Sequence, residues 1–142
     1  MTDGNPAGAE TARELLELMP FAVTLGIELD VASAGEVRGH LAWSPERCTA
    51  GGILHGGVLM SLADSLGGIC AYLNLPPGAR TATISSSSVF FRGIQAGVVT
   101  AVARPLHAGR AVIVVQTDLT DDAGNLAAQV TQTQAVRAGA PG

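Results

Sequence analysis

Between Arg47 and Arg80 the only formally charged side chain is Asp64, set in the otherwise apolar run that follows His55-Gly56-Gly57. A carboxylate among apolar neighbours is costly to bury unless it has partners or a task. Two glycines at the start of a helix leave its unpaired backbone N–H groups open to close approach. Together these residues read as half of an active site, a fixed carboxylate and a donor aimed at a developing oxyanion. Asp64 could act as general base toward water or as the nucleophile itself, and the residues leave both open. The Gly56 N–H, strengthened by the helix N-terminus behind it, would bind the oxyanion. His55 is expected to make structural hydrogen bonds rather than transfer protons. No G-x-S-x-G elbow is present, and His40, His55 and His107 lack metal-ligand spacing, so no metal is expected.

The elements that must position these groups follow from periodicity. Thr11 to Met19 predicts a short helix with Pro20 beyond its end. Two strands are expected over about 27–34 and 36–43, with a turn at Ala34-Gly35. A loop through Pro45 and Gly51-Gly52 leads to a central helix over about 57–75. There Val58, Leu62, Leu66, Ile69 and Leu73 keep helical spacing, and Leu59, Ala63 and Cys70 add a second apolar row. A helix apolar on most sides should be buried on most sides, and Pro76-Pro77-Gly78 ends it. Four strands, meandering in chain order, are expected at 81–91, 98–106, 111–120 and 126–136. The first carries Ser85 to Ser88. Simple alternation puts Thr83, Ser85 and Ser87 on one face and Ile84, Ser86, Ser88 and Phe90 on the other. The serines suit either close packing at a subunit seam or hydrogen bonds to a ligand's arm. The expected architecture is α+β, an antiparallel sheet of five or six strands wrapped around one apolar helix.

The chain has 142 residues, 47% of them hydrophobic and 14% charged, against a usual charged share of about 25%. That length suits one domain over 21–138, preceded by a tail and short helix over 1–20 and followed by a tail at 139–142. Scarce charge suggests surface hidden in subunit contacts. A net charge of −4 argues against nucleic-acid partners. Cys48 and Cys70 form no disulfide framework or metal motif, no segment reads as a signal peptide or membrane span, and a cytoplasmic location is expected. Arg80, Arg92, Arg104 and Arg110 allow a local anion site on an acidic chain.

The sequence resembles the hotdog-fold acyl-CoA thioesterases, in the branch with the phenylacetate-pathway and 4-hydroxybenzoyl-CoA enzymes. The resemblance spans about residues 21–137. It rests on His55-Gly56-Gly57 with an acid nine residues after the histidine, on Phe90-Phe91-Arg92, and on Leu106-His107-Ala108-Gly109-Arg110 followed by Asp121-Asp122-Ala123-Gly124. It implies hydrolysis of an acyl- or aroyl-CoA, with coenzyme A as part of the substrate and no separate cofactor. It also implies a homotetramer, a dimer of dimers, whose site pairs Asp64 of one chain with Gly56 of another. By the same resemblance Thr83 is placed to hold the attacking water, and Arg92 and the His107, Ala108, Gly109, Arg110 turn are placed to hold CoA phosphates. Gly57, Ser85, Phe90 and Phe91 complete the candidate substrate contacts. Phe90 and Phe91, like Trp43, are nevertheless expected in the core or an interface ahead of the acyl pocket. Thr49 stands where the family commonly has Asn or Gln, and Gly93 where it has proline. A non-catalytic acyl-CoA-binding protein is the rival, favoured only by Thr49. A hydratase is disfavoured because no D-x-x-x-x-H occurs.

Overall fold

The structure, a computed structural model, describes residues 12–139. The expected tail over 1–9, the helix start at Thr11 and residues 140–142 lie outside the described residues. Residues 12–17 are helical (α1). Pro20, expected past a helix end, instead opens a second helix, α2 (Pro20–Leu25). Proline suits that position because its missing N–H would have had no partner in the first turn. The strands β1 (Glu28–Ala32) and β2 (Val37–Ala42) form a hairpin, and two single 3₁₀ turns lead to α3 (Gly56–Leu73). After it come β3 (Arg80–Phe90), β4 (Val98–Ala108), β5 (Val112–Thr120) and β6 (Leu126–Arg137).

All six strands make one antiparallel sheet in the order β1-β2-β4-β5-β6-β3. Alternation is clean in β5, where Ile113, Val115, Thr117 and Leu119 point inward with no exposure. Against that concave face lies α3, burying Leu59, Leu62, Ala63, Leu66, Ile69, Cys70 and Ala71. Each large side chain so buried contributes about 1.5–3 kcal/mol. By length and mean hydropathy of 1.3 this helix could cross a membrane, but half of it is buried inside the domain as its core. Burial also pushes the Cys70 thiol up to about 11. Leu16 of α1 and Ala22 of α2 join the same buried cluster.

Three details differ from the expected layout. The last four strands are not a simple meander: β4, β5 and β6 are consecutive neighbours, but β3 pairs with β6 at the sheet edge. Ser85 to Ser88 therefore lie in an edge strand exposed along most of its length. Between Thr83 and Ser85 the register slips, so Thr83 faces Gln134 and Ser85 faces Thr133, with Ile84 left unpaired. Such a bulge shifts the alternation by one residue. Thr83 therefore shares the inward face with Ser86 and Phe90, and Ser85 turns to the opposite face. Finally, only half of α3 is buried, where burial on most sides was expected. Met60, Asp64 and Tyr72 are exposed, because the helix has the sheet on one flank only.

Candidate active site

The start of α3 is built by its own sequence. Of its first N–H groups, those of Val58 and Leu59 bond the His55 carbonyl, and that of Gly57 donates to His55 Nδ1 at 2.8 Å. His55 is thus the N-cap of α3, its Nδ1 accepting from the Gly57 N–H. Among the described residues the Gly56 N–H has no backbone or side-chain acceptor. It is the open donor that the helix terminus leaves. The loop before it is pinned by Arg47, whose guanidinium donates to the Leu25 and Ala42 carbonyls at 2.9 Å each. Trp43 Nε1 donates to Gly52 at 2.9 Å.

Two grooves flank this helix. One is lined by Asp64 with Gly57, Met60, Ser61, Ser65, Ser86 and Phe21. The hydroxyls of Ser61 and Ser65 donate back to the carbonyls of Gly57 and Ser61 at 2.8 Å, which leaves their lone pairs available. Asp64 makes no salt bridge among the described residues, and Gln132 Nε2 donates to its Oδ1 at 3.3 Å. The second groove brings together Gly56, Thr49, Phe90, Phe91 and Arg92 with Ile53 and Gly93. Asp64 and Gly56 are eight residues apart on one straight helix, hence ~12 Å. A single chain does not put both on one carbonyl carbon.

The remaining candidates are placed as follows. Thr83 lies on the inward face and accepts from Gln134 Nε2 at 2.8 Å, while Thr81 donates to Gln134 Oε1 at 3.0 Å. Ser85 and the exposed Phe91 are not joined to Asp64 within the chain. The phosphate candidates separate. Val112 pairs with Ala135, which pairs with Ala82, so the His107, Ala108, Gly109, Arg110 turn sits beside the start of β3. Arg92 follows the end of β3, some 30 Å away at strand rise. Near the turn Arg80 stands opposite Arg137 in register, and the Val136 N–H bonds the carbonyl of Ala111 next to Arg110. None of these three arginines has a salt bridge among the described residues. Arg92 instead lies near Asp121, whose carboxyl is held below the usual range chiefly by the Asn125 N–H and least by Arg92.

Sequence reasoning missed Ser61, Ser65, Phe21 and the two buried glutamines Gln132 and Gln134, and it left Ser86 undecided between a subunit seam and a ligand contact. Ser61 and Ser65 were legible as helical neighbours of Asp64. The glutamines also left a signal: Val130, Gln132, Gln134 and Val136 alternate on one face, so polar residues occupy core positions. Phe21 left none, since only tertiary packing brings α2 to the groove. Among the described residues no cluster of His, Cys, Asp or Glu could hold a metal.

Comparison with known proteins agrees with the fold. The model of the Thioesterase superfamily matches residues 51–128, from the loop before α3 into β6. The 1,4-dihydroxy-2-naphthoyl-CoA hydrolase of Escherichia coli K12 is 31% identical over 85 residues, covering 60% of this chain and 62% of that protein. A crystal structure of a thioesterase from Haemophilus influenzae superposes with a TM-score of 0.82 at 26% identity, covering 88% of this chain and 89% of that one. A variant of a Pseudomonas aeruginosa thioesterase gives 0.83 at 27%, covering 89% and 93%. With a six-stranded antiparallel sheet around one long helix, and with a family match over more than half its length, this chain belongs to the thioesterase superfamily of the hotdog fold, whose chemistry is thioester hydrolysis.

Proposed function

We propose that the chain hydrolyses an acyl-CoA or aroyl-CoA to the free acid and CoA, with Asp64 as the reacting carboxylate. The observation that carries this reading is the exposed Asp64, without a cationic partner among the described residues, lining a groove beside Phe21 and Met60. As general base, Asp64 takes a proton from water while the hydroxide adds to the thioester carbon. The oxyanion so formed accepts from a Gly56 N–H, the C–S bond breaks, and the CoA thiolate leaves and collects the proton. As nucleophile, Asp64 itself adds to the carbon, expels the thiolate and forms an anhydride that water then cleaves. Neither route needs a cofactor.

The ~12 Å between Gly56 and Asp64 along one helix supports a site shared by two chains, and the free edge of β3 gives a second copy a place to pair. A dimer is then the smallest active unit, and a dimer of dimers the proposed assembly. The reaction is tested with a panel of short, medium-chain and aromatic acyl-CoA thioesters, reading free thiol. Turnover of at least one member is expected. CoA binding with no turnover of any member would shift the assignment to an acyl-CoA-binding protein, the reading that Thr49 beside Gly56 favours.

A further inference from the structure

Gln132 is 1% exposed in the middle of β6, where an apolar residue would pack at no polar cost. Its register partners are Val115 on β5 and Ser86 on β3, and Ser86 lines the Asp64 groove. The carboxamide rises from the sheet to α3 and meets two residues one turn apart, Asp64 and Gly67. A carboxylate only accepts, so the amide NH₂ must face Asp64. That choice turns Oε1 toward Gly67, where it is buried without a hydrogen-bond partner among the described residues. A Cβ on Gly67 would collide with this oxygen. The helix is therefore notched at this position, and the amide is held in the one orientation that serves Asp64 at the expense of its own acceptor.

We propose that Gln132 is a positioning residue for hydrolysis: from beneath α3 its amide holds Oδ1 of Asp64, leaving Oδ2 to face the groove. Gly67 is the gap through which it reaches. This rests on Asp64 being the reacting carboxylate. Two consequences separate positioning from packing. An amide that only orients the reacting carboxylate acts on the transition state and not on substrate binding, so its loss lowers kcat with little change in KM. An amide kept for Asp64 rather than for the core is also dispensable to stability.

The experiment compares wild type, Gln132→Met, Asp64→Asn and the double variant, with melting temperature, kcat, KM and the pH profile of kcat on a turned-over acyl-CoA. Gln132→Met, of similar volume, should keep or raise the melting temperature and lower kcat about 10–100-fold with little change in KM. In the Asp64→Asn background it should cost nothing more. Gln132→Glu can donate only when protonated, so its activity should recover toward acid pH. Wild-type kcat in Gln132→Met would overturn the proposal while leaving Asp64 standing. Full additivity in the double variant, or a Gln132→Met that does not fold, would overturn it as well. Wild-type turnover in Asp64→Asn would remove the Asp64 reading and Gln132 with it.

Discussion

An exposed carboxylate on an apolar helix and a histidine that caps the same helix carry separable roles, and substitution can tell them apart. Among the described residues Asp64 makes one side-chain hydrogen bond, with Gln132, and no salt bridge, so its removal leaves no buried partner charge behind. Asp64→Ala and Asp64→Asn should both fold and lower kcat by about 10²–10⁴, measured by thiol release alongside a melting curve. Wild-type turnover in either removes Asp64 from the reaction, and loss of folding in both marks it as structural. His55→Ala removes the acceptor of the Gly57 N–H and should cost about 1 kcal/mol of stability, as loss of an N-cap does. His55→Asn, which can still cap, should restore most of that in urea denaturation. If kcat instead fell as far as in the Asp64 variants and Asn did not rescue it, His55 would be moving protons.

At the scale of the element, α3 is tuned glycine by glycine. Gly67 and Gly68 are adjacent, yet only the first faces the Gln132 amide, and nothing lies within 4 Å of a Cβ built on Gly68. Gly68→Ala should therefore stabilise the helix by up to about 1 kcal/mol through propensity alone. Gly67→Ala gains the same propensity but must displace Gln132, with an overpacking cost of about 1–3 kcal/mol. Opposite signs in chemical denaturation are expected, and a stabilised Gly67→Ala would mean that the amide moves freely. The bulge in β3 does comparable work, since one unpaired residue puts Thr83 on the inward face against Gln134.

The proposed shared site requires an assembly that joins groups one chain keeps apart. In light scattering the protein should elute well above monomer mass, with little dependence on salt, because an apolar, charge-poor surface makes contacts that are not mainly ionic. A fully active monomer would contradict the shared site. The phosphate candidates extend the same logic. Arg92 and Arg110 lie at opposite ends of one sheet, so both can serve one CoA only if different chains supply them. Arg92→Ala and Arg110→Ala should each raise KM with little change in kcat, the mark of lost uniform binding. The penalty should shrink in salt and nearly vanish with a pantetheine thioester that lacks nucleotide phosphates. An equal penalty on that truncated substrate would make the arginine concerned structural.

Much of this was legible in the residues because it depends on neighbours in sequence. The apolar rows of α3, the alternation of β5 and β6 and the His55-Gly56-Gly57 cap are local patterns, and a local period leaves little choice of element. The acid at Asp64 was visible by contrast with its apolar surroundings. Tertiary structure alone decided where β3 sits, because pairing with β6 rather than β4 is a contact between strands far apart in the chain. It also decided which face Thr83 takes, since a single bulged residue inverts the alternation without any mark in composition. The exposure of Asp64 and the separation of Arg92 from Arg110 follow from the same cause. Sequence distance sets reach along a chain, but the sheet's order determines which ends meet.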